Sequence, residues 1–275
     1  MALVDIVLPF YNRKDLLPRA VQSVINQEFT HWKLWLIDDG SDDDYLPAIA
    51  PFLKEDRIQL YKQKNLGVSV ARNVGSSFGV GSYLAFLDSD DEWLPLKLTQ
   101  QMKIMSMNDH KICQTREIWI RHGKRVNPPK HLIKKAGFIF KESLDHCMIT
   151  PSSVLMTREL WNQYGPFDPE LPACEDYDLW LKICAKEPVA LIDQDLMIRY
   201  GGHEDQLSAK YPAMDQFRLY SLSNLIAIKT LSPEYQNLAL EVFHKKLGIL
   251  KKGALKHNNS SVLVLLESFN KKVSN

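Results

Sequence analysis

The chain has 275 residues, with 45% apolar and 24% charged side chains and a formal net charge of +1. That length suits one large α/β domain, or one domain with a smaller appendage, and it can bury a core without disulfides or structural zinc. The near-neutral balance excludes a global basic field of the kind that binds nucleic acid, and the composition excludes disorder as the default state.

The four cysteines, Cys113, Cys147, Cys174 and Cys184, form no CxxC pair and no Cys/His cluster with zinc-ligand spacing. They read as reduced thiols of a cytoplasmic protein. An acid, Asp5, stands where a secretory leader has its basic region, and no apolar run approaches the roughly 20 residues of a membrane helix. The expected location is cytoplasmic, with peripheral contact at the inner face of a membrane left open.

Taken in chain order, the N-terminal third alternates two periodicities. Residues 4–9 form a short apolar run and predict a buried strand. Residues 15–27 carry helical spacing through Leu16, Leu17, Ala20, Val21, Val24 and Ile25. Strands are then predicted over 33–37, 57–61 and 82–87, with helices over 43–53, 68–78 and 96–107; Pro95 suits the first turn of the last. Such alternation predicts an α/β fold with a mostly parallel sheet and right-handed crossovers, and places ligands at the strands' carboxyl ends.

Residues 108–145 show no clear element, and Asn127-Pro128-Pro129 interrupts any regular one. A strand over 150–157, a short helix over 158–164 stopped at Gly165-Pro166, a helix over 175–185 and a strand over 191–200 follow. From Ala213 the pattern is helical, over 215–229, 233–251 and 260–271. The predicted division is residues 1–208 for the α/β domain and 209–275 for a C-terminal helical extension.

Four local patterns carry chemistry. In Phe86-Leu87-Asp88-Ser89-Asp90-Asp91 an apolar strand ends in clustered carboxylates that repel one another. A hard divalent cation, Mg²⁺ or Mn²⁺, would relieve that repulsion and bridge a diphosphate; an acidic turn capping the next helix is the plain alternative. Asp38-Asp39-Gly40-Ser41 closes another strand and offers either acceptors for a nucleoside or an N-cap. Gly67 to Gly75 starts a helix on glycine and places Arg72 one turn in, within reach of an anion, but matches neither the dinucleotide nor the P-loop pattern. Glu175-Asp176 opens a helix, where acids complement the dipole and where a cleft carboxylate can act as a general base.

Pro9-Phe10-Tyr11-Asn12, Asp38-Asp39-Gly40-Ser41, Gly67-Val68-Ser69-Val70-Ala71-Arg72-Asn73, Asp88-Ser89-Asp90-Asp91 and Glu175-Asp176-Tyr177-Asp178-Leu179-Trp180 occur in an order that resembles the family 2 glycosyltransferases. Pro151-Ser152-Ser153 to Gly165-Pro166-Phe167-Asp168 resembles that family's acceptor-side segment. The resemblance covers roughly residues 3–208. It implies a GT-A (Rossmann-like) fold, a mixed, mostly parallel sheet flanked by helices, with residues 1–208 as catalytic domain. It implies an inverting, metal-dependent transferase that moves a sugar from a nucleoside diphosphate sugar, UDP being the commonest, to a hydroxyl of a glycan or glycolipid, in bacterial surface polysaccharide or lipopolysaccharide synthesis.

The same resemblance assigns Pro9, Tyr11, Asp38, Asp39, Arg72, Asp88 and Ser89 to the nucleotide sugar. It assigns Asp88 and Asp90 to the Mn²⁺ or Mg²⁺ ion, and Asp176 to the catalytic base with Glu175 beside it; the role of Asp91 stays open. His203, among glycines, is a candidate metal ligand or phosphate contact, or a loop histidine with no role. A basic run from Lys111 to Lys141, opposed within itself only by Glu117, fits an anionic acceptor, a membrane surface or a solvated face. The tail lysines beside Leu247, Ile249 and Leu250 fit lipid, packing on the domain, or a homodimer. Three rivals stand beside this reading: a haloacid dehalogenase-type phosphatase, a nucleotidyltransferase, and a noncatalytic nucleotide- or glycan-binding protein of the same fold.

Overall fold

The computed structural model describes residues 3–107, 109–202, 211 and 213–274. Its centre is a mixed sheet in the order β3-β2-β1-β4-β8-β6-β9-β5, with β7 paired to β6 alone. The parallel block comprises β1 (Val4–Phe10), β2 (Trp32–Asp38), β3 (Ile58–Lys62) and β4 (Tyr83–Phe86). Every residue of β1 is buried, as expected of a strand flanked on both edges and covered on both faces. β8 (Val154–Thr157) runs antiparallel to β4, and β6 (Ile112–Arg121) antiparallel to β8. β9 (Ala190–Gly201) lies parallel to β6, and the short β5 (Glu92–Trp93) closes the edge.

Ten α-helices are described: α1 (Leu17–Ile25), α2 (Leu46–Ile49), α3 (Val68–Phe78), α4 (Lys97–Met107), α5 (Phe140–Asp145), α6 (Arg158–Tyr164), α7 (Glu175–Cys184), α8 (Asp215–Ala227), α9 (Pro233–Lys256) and α10 (Ser260–Ser274). α3 packs on β1 and β2 through Gly75, where a Cβ would fall 2.4 Å from Val7 Cγ1. That close approach fixes how far Arg72, one turn earlier, reaches over the strand ends. Asp5, fully buried within β1, is compensated by Arg158 Nη2 at 2.7 Å, the Gly81 N–H at 2.6 Å and Trp35 Nε1 at 3.1 Å.

Residues 108–145 are more regular than their sequence pattern predicts. β6 occupies ten of them and forms a hairpin with β7 (Lys124–Val126), while α5 closes the segment. Arg116 and Glu117 interrupt the apolar alternation of β6, which is why the strand escapes a periodicity search. The break at Asn127-Pro128-Pro129 does mark the end of β7.

The same fold gives the basic run counter-charges from outside it. Arg116 binds Asp193 at 2.9 Å and Asp195 at 3.1 Å, Lys111 binds Glu187 at 2.8 Å, and Lys135 binds Glu142 at 3.0 Å. The helical extension packs on the α/β layer in one core: Leu219, Leu222, Phe243 and Phe269 join Phe140, Tyr177 and Trp180.

Candidate active site

A cleft of about 640 Å³ opens where β1, β2 and β4 end, bounded by the starts of α3 and α7 and by the end of β9. Pro9, Tyr11, Asp39, Arg72, Asp88, Ser89, Asp90, Glu175 and Asp176 all line it. The strand-end location follows from the parallel block, whose βα connections all leave from that side.

Asp38 and Asp39 diverge although they are neighbours. Asp38 points into the protein: its carboxylate accepts from the Ser41 N–H at 2.7 Å and from Tyr45 Oη at 2.8 Å, and it does not line the cleft. These hydrogen bonds hold its pKa below the ordinary value although burial opposes them. Asp39 faces the cleft and fastens its rim. Oδ1 accepts from the Leu66 N–H at 2.9 Å and Gln63 Nε2 at 2.8 Å, and Oδ2 from the Gly67 N–H at 2.8 Å. The two aspartates diverge because successive residues at a strand end alternate sides, and Gly40, at φ +82°, makes the turn that follows; a Cβ there would fall 2.7 Å from the Asn65 nitrogen.

Arg72 is 3% exposed and lies between two acids. Its Nη2 donates to Asp88 Oδ1 at 2.6 Å and its Nη1 to Glu175 Oε1 at 2.5 Å. Burial alone would disfavour the guanidinium; Asp88 and Glu175 more than offset that and raise its pKa. Glu175 is raised above the usual carboxylate range by burial and the nearby Asp176, with Arg72 opposing. The Asn73 amide exchanges two hydrogen bonds with the Phe167 backbone, at 2.8 and 2.9 Å, and so ties α3 to the segment before α7.

Side chains that the sequence did not place at the acidic corner complete it, Ser152 of the acceptor-side segment among them. Arg19 on α1 donates to the Asp90 carbonyl at 2.6 Å and lies 3.6 Å over the Tyr200 ring. Ser152 accepts from the Asp88 N–H at 3.0 Å and donates to Asp91 Oδ2 at 2.6 Å. Asp91, 3% exposed, also accepts from the Tyr200 N–H at 3.2 Å, and burial with the charges of Asp90 and Asp88 lifts its pKa well up. Arg199, at the end of β9, lines the cleft and stands 3.7 Å from Glu117 Oε1. Serine and arginine at such positions carry no local pattern; only the pairing of β9 with β6 brings Arg199 to the site.

Asp176 sits at the start of α7, after Cys174 in the left-handed region at φ 64°. Its Oδ1 accepts from the Tyr177 N–H at 2.6 Å and its Oδ2 from Cys147 Sγ at 3.3 Å. The single Cys147 S–H is shared with the Ile149 carbonyl, 3.1 Å from Sγ, and burial beside Asp176 pushes its thiol pKa well up. The carboxylate is thus oriented by one backbone and one thiol donor while facing the cleft.

Among the described residues no group of three or more His, Cys, Asp or Glu side chains is gathered to hold a metal ion. Two carboxylates, those of Asp88 and Asp90, line the cleft side by side, with Asp88 Oδ1 already engaged by Arg72. That donor set fits Mg²⁺ or Mn²⁺, which take one or two carboxylates and complete their shell with phosphate oxygens and water. His203, the remaining candidate ligand, lies outside the described residues.

The sequence matches the family described as Glycosyl transferase family 2 over residues 5–165. An uncharacterized glycosyltransferase of Rickettsia conorii is 32% identical over 193 residues, covering 70% of this chain and 32% of that protein. The chain therefore spans about a third of the length of this relative. The Escherichia coli UDP-Glc:alpha-D-GlcNAc-diphosphoundecaprenol beta-1,3-glucosyltransferase WfgD is 31% identical over 199 residues, covering 70% of this chain and 73% of that enzyme. S. aureus TarS 1-349 in complex with UDP-GlcNAc superposes with a TM-score of 0.73 at 16% identity, over 89% of this chain and 72% of that one, and so shares the fold. The family match ends before α7, so the fold, not the match, brings Glu175 and Asp176 to the acidic corner. With a strand-end cleft of the GT-A type and this extent of sequence agreement, the chain belongs to the family 2 glycosyltransferases.

Proposed function

We propose that the chain transfers a sugar, with inversion, from a nucleoside diphosphate sugar to a hydroxyl of a glycan or glycolipid in bacterial surface-polysaccharide synthesis, with UDP as the nucleotide. One observation carries the reading: a single cleft holds the acidic corner Asp88-Ser89-Asp90, the buried Arg72 and the cleft-facing Asp176. The relatives' printed substrates support it. WfgD uses UDP-Glc and a lipid-diphosphate acceptor, and TarS binds UDP-GlcNAc.

In this account Tyr11, 42% exposed at the end of β1, and Pro9 flank the nucleoside, while Asp39 both secures the 65–67 rim and presents its carboxylate to the base. Asp88 and Asp90 would hold a divalent cation, which when bound would neutralise charge on the leaving diphosphate. Arg72 holds Asp88 in place, and Glu175 anchors Arg72. Asp176 takes the proton from the acceptor hydroxyl as that oxygen attacks the anomeric carbon; the carbon–oxygen bond to the diphosphate breaks on the opposite face. Residues 1–208 form the catalytic unit and 209–275 the extension, whose α8 packs on α7 and whose α9 packs on α5.

The acceptor's lipid character gives the tail a role. Lys251, Lys252 and Lys256 are exposed on the last turns of α9 with Ile249 (57% exposed) and Leu255 (56%), a face suited to an anionic bilayer surface. Among the described residues no helix is long and apolar enough to cross a membrane.

The experiment is UDP release from a panel of UDP-sugars by wild type and Asp176→Asn. Release from one sugar in preference to the others, reduced at least a hundredfold in the variant while UDP binding persists, supports the reading. UDP binding without release from any sugar, with or without extracted lipid acceptors, would instead favour a noncatalytic binder of the same fold.

A further inference from the structure

Tyr200, at the end of β9, reaches three consecutive residues of the acidic turn. Its N–H donates to Asp91 Oδ1 at 3.2 Å and its hydroxyl to Glu92 Oε2 at 2.9 Å. It reaches Asp90 through Arg19, whose guanidinium lies 3.6 Å over the Tyr200 ring and donates to the Asp90 carbonyl at 2.6 Å. That is the guanidinium's one hydrogen bond among the described residues, and Arg19 Nε is buried with no partner. The ring face is therefore its second support. Its base is firm, since Leu17, Ala20, Val21 and Val24 of α1 are fully buried.

We propose that Arg19 and Tyr200 are positioning residues for the divalent cation: α1 and β9 clamp the main chain at Asp90 and so hold its carboxylate toward the cleft. The inference rests on the metal-site reading and deepens it. Ser152 fixes residues 88 and 91, together with the bond from the Asp91 N–H to the Asp88 carbonyl at 3.0 Å. Arg19 fixes the main chain between them.

The charges favour a geometric role over an electrostatic one. A guanidinium beside a cation's seat repels that cation and weakens its binding. Its presence is explained if the backbone it holds matters more to the ion than its charge costs. Groups that orient a metal's ligands without touching the metal commonly have that effect.

The test titrates Mn²⁺ into the intact chain after treatment with EDTA and desalting. Calorimetry reads the Mn²⁺ concentration that half-restores UDP binding. Arg19→Met and Tyr200→Leu should each raise that concentration about tenfold, while UDP affinity at saturating Mn²⁺ and in EDTA stays within about twofold of wild type. The double variant should be no worse than either single one, since both remove the same contact. Tyr200→Phe, which keeps the ring and the N–H, should titrate as wild type. Should Tyr200→Leu not fold, Arg19→Met decides by sign alone: losing a nearby positive charge tightens Mn²⁺ binding, whereas losing the anchor weakens it. Tighter or unchanged Mn²⁺ binding in Arg19→Met would overturn the role. So would single effects that multiply in the double variant, or a loss of UDP affinity that saturating Mn²⁺ does not restore, which would make Tyr200 a nucleotide contact instead. A wild type whose UDP binding needs no Mn²⁺ would overturn the metal-site reading, and this role with it.

Discussion

Arg72 and Glu175, 103 residues apart in sequence, meet at 2.5 Å across the floor of the cleft, and both are buried. The same guanidinium holds Asp88. One cation therefore joins the donor side of the site to the helix that carries the candidate base. Removing it leaves the buried Glu175 without its cationic partner and Asp88 without its guanidinium donor.

Arg72→Met should for that reason destabilise the fold by about 3–5 kcal/mol, the cost of breaking a buried ion pair from one side. Urea unfolding measures it. Arg72→Lys keeps the charge but loses the planar fork that serves both acids, so its stability should fall between the two. A variant as stable as wild type would show that the pair contributes nothing to the site's rigidity.

Ser152 receives the Asp88 N–H and gives its own proton to Asp91. Ser152→Ala should cost about 1–3 kcal/mol, since both groups become unsatisfied in a buried setting. Metal-dependent nucleotide binding should weaken with it, because Asp88 then loses its backbone anchor. Unaltered calorimetric affinity in a folded Ser152→Ala chain would separate Ser152 from the donor site.

Lys97 is fully buried, bonded to Gln101 Oε1 at 2.7 Å and 3.9 Å over the Trp93 ring, and burial pushes its pKa down to about 7. The folded chain then binds fewer protons than the unfolded chain between pH 7 and the ordinary lysine pKa. Lys97 accordingly costs stability in full below about pH 7, and the penalty fades as pH rises toward 10.5. Lys97→Met should remove this slope. Between roughly pH 7 and 9.5 wild type should gain on the order of 3 kcal/mol relative to the variant. Parallel stability curves for the two chains would contradict the assignment.

The four thiols are free, and burial raises the pKa of each: Cys113, Cys174 and Cys184 to about 12, and Cys147 well above its ordinary value. The native chain should therefore react with iodoacetamide at pH 8 at least tenfold more slowly than the urea-unfolded chain. Rapid labelling of Cys147 in the native state would mean that the thiol beside Asp176 is an active nucleophile rather than a hydrogen-bond donor.

Most elements of the first hundred residues were legible from their apolar periodicity, and the bounds of α3 agree with the spacing; the helix expected over 43–53 is instead the four-residue α2 and a 3-10 turn at Phe52–Lys54, broken at Pro51, and the two-residue β5 is too short to show a period. β6 was hidden because Arg116 and Glu117 read as surface charge, whereas the fold turns Glu117 inward and pairs Arg116 with β9. The cleft-facing acids were visible as motifs. Their support was not: Arg19, Ser152, Cys147 and Arg199 act through contacts across 29 to 82 positions of chain, set by strand pairing and helix packing rather than by local pattern. Asp38 and Asp39 show the limit most sharply: adjacent identical side chains at the end of β2 face opposite ways, and only the sheet's placement tells which one meets the cleft.

A metal-dependent nucleotide site is proposed on the Asp88-Ser89-Asp90 corner. Arg19 holds the main-chain carbonyl of residue 90, so Asp90→Ala removes the carboxylate and leaves that anchor in place. The direct measurement is calorimetric binding of UDP, GDP and TDP in Mn²⁺ and then in EDTA, on wild type and Asp90→Ala. Wild type should bind UDP in Mn²⁺, and binding should fall at least tenfold in EDTA and in the variant. UDP affinity equal in Mn²⁺, in EDTA and in Asp90→Ala would contradict the metal site, and binding of none of the three nucleotides would contradict the donor site itself.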